Sequence, residues 1–469
     1  MNNKAVEKWI DDHQDDLIKD IMDLCRIPSV EGEPQEGMPF GPEPCKALAA
    51  ALKKCEEYGF TVKNYDNYVG TADLDPSLPR SLEILGHMDV VPAGNGWTVT
   101  EPFEPVVKDG KIYGRGTSDD KGPSLCALYA MRALKECNVP LKKGIRMILG
   151  SAEETGSNDI PHYYEKEGEA EMTFSPDAEF PIINIEKGQF RGTLSCKFEE
   201  STALPRLLSL EAGIALNAVP QEAVLVTEGI DPGTAEEAAK AVEAQYGVTI
   251  AVSEPAAQKL SFTVTGVSAH ASTPEGGVNA GLAAVALALK LPLAGCEQLE
   301  LLKKIPELFP WKVTDGAGIG IKMSDPESHD LTCTLDLFHA TTTECSFSFD
   351  ARTPVCAVKE NCQDKAQEII EKAGFDFSTP GMVPPHCVSG DSPFVQTLLA
   401  AYEDVTGLKG ECLAIGGGTY VHDLKNGVAF GAVLPDIDTR MHGADEFMPI
   451  DNIMTAAKVY AEAMIRLCS

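Results

Sequence analysis

The sequence predicts an α/β protein in which a mixed-sheet domain is interrupted by an inserted α+β domain. Short buried strands such as residues 82–91 alternate with helical segments such as 123–137, as in a sheet covered by helices. Residues 187–384 change to strands with alternating apolar and polar residues, which is typical of half-solvated antiparallel sheets. Residues 385–469 return to the first pattern and end in a helix. The first domain is therefore predicted to combine residues 1–186 with the C-terminal part.

Length, charge and hydropathy narrow the class of protein. With 469 residues, the chain is expected to form two or three domains. Its formal net charge of −32 disfavours nucleic acid and anionic membranes as partners, because both bind cationic patches. No apolar run approaches the ~20 residues that span a bilayer, and the first residues lack the apolar stretch of a secretory signal. We therefore expect a cytoplasmic protein without membrane or nucleic-acid partners.

Fourteen cysteines are scattered from Cys25 to Cys468 without a C-x-x-C pair. In a reducing compartment such residues are expected to be free thiols, most of them buried, rather than disulfides. A cysteine nucleophile stays open as an alternative, although no cysteine lies in a recognisable catalytic context.

A histidine and an aspartate stand two residues apart at the end of a predicted strand. The period of two in a strand places His87 and Asp89 on the same face. An aspartate in that position can accept the second ring N–H of a metal-bound histidine and so fix its tautomer. The alternative is a histidine with satisfied hydrogen bonds at a strand end, and an isolated H-x-D pattern favours it.

Five further acidic residues lie at predicted strand ends or at a helix start. Asp119 and Asp120 directly precede a helix with an early proline, and Asp120 suits the helix cap, which leaves Asp119 over. Glu153 and Glu154 follow a buried strand, where adjacent carboxylates repel each other unless a cation or a shared proton intervenes. A solvated loop is the alternative for this pair. Asp177 likewise follows a strand-like stretch.

The charges of this set balance when two divalent cations are bound. Two such ions carry +4, the carboxylates of Asp119, Glu154 and Asp177 carry −3, and a bridging hydroxide carries −1. The total charge is zero, so that the cluster can be partly buried. Two metal ions that share a carboxylate typically lie about 3.5–4 Å apart and hold an attacking oxygen. With a histidine from the polar loop before the last helix, the candidate ligands are His87, Asp119, Glu154, Asp177 and His442.

Short motifs in a fixed order carry a resemblance to a known family. The motifs are Gly86–Pro92, Tyr113–Gly122, Glu153–Gly156, Ser175–Asp177 and Met441–His442. Together they resemble the co-catalytic zinc enzymes that include aminoacylase, acetylornithine deacetylase, succinyl-diaminopimelate desuccinylase and carnosinase-like dipeptidases. The resemblance covers nearly the whole chain, and the ordered set is specific although each motif is short.

The resemblance implies how two metal ions are held. Asp119 is expected to bridge both ions, His87 and Asp177 to complete one site, and Glu154 and His442 to complete the other. The expected ions are two zinc ions per chain, although Mn²⁺ or Co²⁺ also suits carboxylate-rich sites.

The resemblance also assigns roles to neighbouring groups. Asp89 is expected to orient the ligand His87, and Glu153 to act as the general base on a metal-activated water. The peptide bond between Asp119 and Asp120 is expected to be cis.

The insertion resembles the lid domain of the same family. Residues 266–280 match the lid motif, which implies that His270 stabilises the oxyanion formed during hydrolysis. Further matches to the bacterial dipeptidase branch imply substrate-binding roles for Asn217, Arg352, Gly416, Gly417 and Gly418. From the residues alone, the alternatives stay open: an exposed loop histidine, a tight glycine turn, and a salt bridge from Arg352 to Asp350.

The resemblance implies a metal-dependent dipeptidase of broad specificity, including dipeptides such as carnosine. It also implies a monomer, because an enlarged lid is thought to replace the second subunit of related deacetylases. One alternative is an N-acyl amino acid deacylase or desuccinylase of the same family. A second is a non-catalytic metal-binding scaffold, which predicts loss of Glu153. A third, a phosphate-binding protein using residues 416–418, lacks the Lys-Ser/Thr that should follow such a loop.

Overall fold

The computed structural model describes residues 3–469, which form two compact units. Unit 1 comprises residues 3–185, 387–413 and 418–469, and unit 2 comprises residues 186–386 and 414–417. Unit 2 overlaps the insertion predicted over residues 187–384, and it also includes the segment 414–417 from the C-terminal part.

The strands are short and numerous. They are β1 (Thr61–Tyr65), β2 (Val69–Asp73), β3 (Arg80–His87), β4 (Val106–Lys108), β5 (Lys111–Tyr113), β6 (Gly144–Gly150), β7 (Met172–Ser175), β8 (Ala178–Glu179), β9 (Ile182–Glu186), β10 (Gly188–Lys197), β11 (Arg206–Ala212), β12 (Glu222–Glu228), β13 (Thr249–Ala256), β14 (Lys259–Thr265), β15 (Ser324–Asp325), β16 (His329–Asp330), β17 (Thr332–Ala340), β18 (Glu344–Thr353), β19 (Asp376–Ser378), β20 (Met382–Val383), β21 (His386–Cys387), β22 (Cys412–Ile415), β23 (Gly427–Ala429), β24 (Ala432–Val433) and β25 (Phe447–Pro449).

The helices alternate with these strands. They are α1 (Asn3–Asp12), α2 (Gln14–Cys25), α3 (Pro42–Glu57), α4 (Lys121–Glu136), α5 (Ile160–Glu167), α6 (Pro232–Tyr246), α7 (Ala280–Lys290), α8 (Glu297–Leu302), α9 (Ile305–Leu308), α10 (Gln363–Lys372), α11 (Pro393–Thr406) and α12 (Ile450–Cys468), with short 3₁₀ turns at Pro274–Gly276, Ala317–Ile319 and Tyr420–Asp423.

The main sheet of unit 1 is mixed, with strands in the order β1-β2-β6-β3-β7-β23-β9. β3 pairs in parallel with both β6 and β7, whereas β2 pairs antiparallel with β1 and β6. β3 is buried from Ser81 to His87, so that polar Glu83 and His87 lie in the interior beside Leu82, Ile84 and Leu85. In the register His87 lies opposite Gly150, so that the carboxyl ends of β3 and β6 are level. The predicted α/β class with a mixed sheet is confirmed.

Helices α4 and α12 pack against each other and against β3. The sequence predicts these helices at residues 123–137 and 450–467, close to their observed bounds, and both are confirmed. Strand β3, in contrast, ends four residues before the apolar run 82–91 does. After His87 the backbone leaves the sheet and the N–H of Val90 donates to the carbonyl of Ser29 (3.1 Å), while Met88 and Val90 stay buried.

Unit 2 is built on a second sheet, in the order β13-β14-β12-β11-β17-β18-β10-β19, whose registered pairs are antiparallel. Along β14, buried and half-buried residues alternate, as predicted for a half-solvated sheet. α6 and α7 cover one face of the sheet and form an apolar core with it.

Two expectations from composition can be compared with the structure. All fourteen cysteines are free thiols, and Cys356, Cys387 and Cys412 are exposed. Within residues 3–469, no helix has the length and apolar character that a membrane span requires.

Candidate metal centre and active site

The predicted ligands of unit 1 meet at one edge of its main sheet. His87 ends β3, Glu154 follows β6, and Asp177 lies two residues beyond the end of β7. Because β6, β3 and β7 are adjacent parallel strands, their carboxyl ends lie side by side, as they do in α/β proteins that bind ligands there. Asp119 lies in the loop that leads into α4, and His442 in the loop before β25.

These five side chains form two groups that share Asp119. In the first, His87 Nε2 lies 3.0 Å from Asp119 Oδ1 and 3.5 Å from Asp177 Oδ2. In the second, His442 Nε2 lies 2.8 Å from Asp119 Oδ2 and 3.2 Å from Glu154 Oε2. Within each group the ligand atoms lie within 4.8 Å of one another. One oxygen of Asp119 thus faces each group, which is the geometry of a bridging carboxylate.

The electrostatics of the cluster favour bound cations. Burial and then the charge of Asp119 raise the pKa of Asp177 to about 6, and burial with neighbouring carboxylates raises the pKa of Glu153 as well. Contacts with Asp119 and Glu154 raise the pKa of His442 to about 10. Imidazole nitrogens and carboxylate oxygens are ligands that Zn²⁺ accepts, and the same donors suit Mn²⁺ and Co²⁺. The residues present therefore fit two divalent metal ions.

Asp89 connects the first histidine to the turn after β6. Its backbone carbonyl lies 3.0 Å from His87 Nδ1, and its Oδ1 lies 3.3 Å from the same nitrogen. Its carboxylate also accepts the backbone N–H groups of Glu153 (3.2 Å) and Glu154 (3.1 Å). Asp89 therefore contacts one candidate ligand and also bonds the turn that carries Glu153.

The carboxylate of Asp120 does not cap α4 as the sequence predicts. Asp120 occupies the N-cap position, but its Oδ2 accepts from the backbone N–H of His87 (3.0 Å) and from Ser124 Oγ (2.7 Å). The carboxylate of Asp120 bonds β3 instead of the free N–H groups of α4, because the end of β3 lies directly beside the start of the helix. The peptide bond between Asp119 and Asp120 is cis, which confirms the prediction.

A tyrosine and an aspartate that sequence reasoning missed support the same turn. Asp159 Oδ2 accepts from the N–H groups of Ser151 (2.5 Å) and Ala152 (3.1 Å) and from the hydroxyl of Tyr420 (2.6 Å). The Tyr420 ring meets the His87 ring edge-on at 6.2 Å. The only signal in the sequence was the helix-start pattern Asp159-Ile160-Pro161.

In unit 2, two loops bring Asn217 and His270 together. The N–H of Ala271 donates to the carbonyl of Asn217 (2.9 Å), and Ala218 pairs with His270. The N–H of Ser272 donates to His270 Nδ1 (3.2 Å), and Ser272 Oγ lies 2.6 Å from the same nitrogen. A backbone N–H can only donate, so Nδ1 acts as an acceptor in this contact, and a ring that accepts there would carry its proton on Nε2.

Arg352 lies in unit 2 together with Gly416 and Gly417, whereas Gly418 belongs to unit 1. Arg352 Nε donates to Asp350 Oδ1 (2.7 Å), so the salt bridge weighed as an alternative is present. Arg352 Nη1 also donates to the carbonyl of Gly416 (2.6 Å). A Cβ at Gly416 would collide with the side chain of Ser272, so only glycine fits there. Arg352, Gly416, Ser272 and His270 therefore form one connected series, while Gly417 and Gly418 follow in the loop.

Known proteins resemble the chain in sequence and in fold. Residues 84–466 match the family described as Peptidase family M20/M25/M40. The Beta-Ala-Xaa dipeptidase of Lactobacillus delbrueckii subsp. lactis is 34% identical to the chain, over 97% of this chain and 96% of that protein. The YtjP protein of Bacillus subtilis is 35% identical, over 97% of each. Human carnosine dipeptidase 1 has a similar fold, with a TM-score of 0.60 at 16% identity over 100% of this chain and 99% of that one.

Proposed function

The chain belongs to the peptidase family M20/M25/M40, and we propose that it is a dipeptidase that works with two divalent metal ions. The observation that carries the proposal is the pair of ligand groups sharing Asp119, beside which Asp89 holds the turn bearing Glu153. A relative that is 34% identical over nearly its whole length bears the name of a dipeptidase, which supports the same substrate class.

The residues that would hold the ions are His87, Asp119 and Asp177 for one, and Asp119, Glu154 and His442 for the other. Zinc is the proposed metal, with Mn²⁺ and Co²⁺ as ions that the same ligands accept. Bound at such sites, divalent ions polarise a carbonyl group and lower the pKa of water.

Glu153 is proposed to take a proton from the attacking water and to deliver it to the leaving amine. Without bound ions, burial and the nearby Asp177 raise the pKa of Glu153, and bound cations would oppose that shift.

In unit 2, His270 is proposed to donate a hydrogen bond to the oxyanion through Nε2–H, in keeping with its tautomer. Arg352 is proposed to bind the free carboxylate of the dipeptide. A guanidinium has five N–H donors, more than the bonds to Asp350 and Gly416 use. Asn217 and the loop 416–418 are proposed as further polar contacts to the substrate. Unit 2 would thus serve as the lid.

The proposal extends to broad specificity for unblocked dipeptides, including Xaa-His dipeptides such as carnosine. It also retains two expectations from the sequence, that the chain is a monomer and that it acts in the cytoplasm. Light scattering coupled to size-exclusion chromatography tests the first of these.

A substrate panel tests the activity. The protein is stripped with a chelator, reloaded with Zn²⁺, Mn²⁺ or Co²⁺, and given unblocked dipeptides, their C-terminal amides, tripeptides and N-acetyl amino acids. We expect unblocked dipeptides to be cleaved fastest and only after reloading. Glu153→Gln should keep both ions and lose roughly 10²- to 10⁴-fold in turnover, because the amide cannot take the proton.

Faster hydrolysis of N-acetyl amino acids would identify a deacylase instead. Near-normal turnover of Glu153→Gln with full metal content would overturn the assignment of the base.

A further inference from the structure

A buried ion pair outside the candidate ligand set joins two ligand-bearing loops of unit 1. Arg115 is 1% exposed and Glu446 is 0% exposed. Arg115 lies four residues before Asp119, and Glu446 lies four residues after His442. Strands β5 and β25 pair antiparallel beside them, and the N–H of Gly114 donates to the carbonyl of Glu446 (3.0 Å).

Glu446 organises the backbone that leads into Asp119. Its Oε1 accepts from the N–H groups of Gly116 and Ser118, each at 3.0 Å, and from the hydroxyl of Ser118 at 3.1 Å. Its Oε2 accepts from Arg115 Nη1. One carboxylate therefore fixes the loop up to the residue directly before the shared ligand.

Arg115 organises the other loop. Its Nη2 donates to the carbonyls of His442 and Gly443, each at 3.2 Å. His442 has a φ of +61°, in the left-handed region that costs a non-glycine residue on the order of 1 kcal/mol. The bonds from Arg115 hold His442 in the backbone conformation from which its Nε2 faces Asp119.

We infer that the Arg115–Glu446 pair is a positioning device that sets the separation of Asp119 and His442 and thereby the affinity for the second ion. The inference rests on the proposed two-ion site. Stability alone is a weak reason for such a pair, because a buried ion pair is often no more stabilising than apolar residues of similar volume. Supporting groups around metal ligands typically change metal affinity by 10- to 100-fold, which is the size of effect expected here.

The test compares two buried carboxylates of the same unit. Glu446→Gln keeps the shape of the side chain and removes its charge. Glu83→Gln is the matched control, because Glu83 is 0% exposed on β3 and accepts from the hydroxyls of Tyr163 (2.9 Å) and Tyr164 (3.2 Å). For each metal-free protein, Zn²⁺ binding is measured by competition with a chelator, and the unfolding temperature is measured by calorimetry.

We expect Glu446→Gln to bind one of the two ions about 10- to 100-fold more weakly, whereas Glu83→Gln lowers the unfolding temperature and keeps both dissociation constants. Arg115→Lys should weaken binding of the same ion, since a single ammonium group cannot bond both Glu446 and the carbonyls of His442 and Gly443 as the guanidinium does.

The inference is overturned if Glu446→Gln keeps both parental dissociation constants, whatever its unfolding temperature. It is also overturned if Glu83→Gln weakens Zn²⁺ binding as much as Glu446→Gln does. Failure of the proposed dipeptidase activity is a separate result, because it would leave two bound ions and no hydrolysis in the parent protein. A parent that binds fewer than two ions would overturn both.

Discussion

The adjacent acids Asp119 and Asp120 direct their carboxylates to different partners. Asp119 turns one oxygen toward His87 and the other toward His442, so that it belongs to both ligand groups. Asp120 turns away and accepts from the N–H of His87 and from Ser124 Oγ. Asp119 thus lies between the two ligand groups, and Asp120 holds a ligand-bearing strand against α4 where the sequence predicted a helix cap.

A residue-scale prediction concerns Ser272. In Ser272→Ala the hydroxyl that bonds His270 Nδ1 is lost, while the weaker backbone contact at 3.2 Å remains. A hydrogen bond worth about 1 kcal/mol corresponds to roughly a five-fold change in rate. We therefore expect kcat to fall about five-fold with KM and metal content unchanged. Imidazole ¹⁵N spectra should show an unprotonated Nδ1 in the parent, and its resonance should move in the variant.

Ser268→Ala is the matched control, because Ser268 is an exposed serine in the same segment of the chain. It should leave kcat and the His270 resonances in place. A parent protein with the proton on Nδ1 would refute the assigned tautomer, and an unmoved resonance in Ser272→Ala would refute the hydrogen bond from Ser272.

At the scale of elements, local patterns could predict the strand ends that carry the candidate ligands. The apolar run 82–91 contains the buried strand β3, although β3 ends at His87, and the run that ends at Gly150 is the buried strand β6. Parallel pairing brings the ends of these two strands to one edge. The start of the helix after Asp120 could also be predicted, because a proline lies in its first turn. These features depend on residues close together in sequence, where periodicity and turn chemistry are informative.

Long-range supports could not be predicted. Tyr420 reaches Asp159 across 261 residues, and Arg115 reaches Glu446 across 331. The inclusion of residues 414–417 in unit 2 likewise depends on contacts such as Arg352 with Gly416, 64 residues away. A single buried polar residue has no periodic signal, and only the folded chain supplies its partner.

An element-scale prediction follows from the link between β18 and the glycine-rich loop. Removing Arg352 takes away the proposed carboxylate contact and also the bond to the Gly416 carbonyl. In the proposal, hydrolysis of an unblocked dipeptide depends on the carboxylate contact and on the bond to Gly416. The C-terminal amide has no carboxylate and depends only on the bond to Gly416. We therefore expect Arg352→Ala to lower kcat/KM at least ten-fold more on the dipeptide than on the amide, measured on both proteins as a double-mutant comparison.

Arg206→Ala is the control, because Arg206 on β11 forms an ion pair with Glu228 in the same unit. Its kcat/KM should be close to the parent value on both substrates. Equal losses on dipeptide and amide in Arg352→Ala would mean that Arg352 only supports the loop.

At the scale of the whole molecule, the two units have separate apolar cores. The core of unit 1 includes side chains from β3, α4 and α12, and the core of unit 2 includes side chains from β14, β18 and α7. Each unit also holds buried charges of its own. We therefore expect a charge change in one core to alter the stability of that unit first.

Asp336 in unit 2 is such a titratable group. It is fully buried at an irregularity of β17. Burial, with the nearby charge of Asp350, raises the pKa of Asp336 to about 9 from its ordinary value of 3.8. Between these two values the folded protein keeps the proton and the unfolded chain releases it. The free energy of unfolding therefore falls as pH rises through this window.

Asp336→Asn removes this titration, because the amide is neutral at every pH. Relative to the variant, the parent should lose about 1.4 kcal/mol of unfolding free energy for each pH unit between 5 and 8. The difference in unfolding free energy between the two proteins should become constant below about pH 3, where Asp336 is protonated in both states. Denaturant unfolding followed by the fluorescence of Trp311, with Trp9 and Trp97 replaced by Phe, reports on unit 2.

Asp376→Asn is the control, because Asp376 lies at an exposed position of β19, and it should show the parental pH dependence. Parallel pH profiles for parent and Asp336→Asn would mean that Asp336 is ionised in the folded protein, and a variant less stable than the parent at pH 8 would mean that its carboxylate is stabilising.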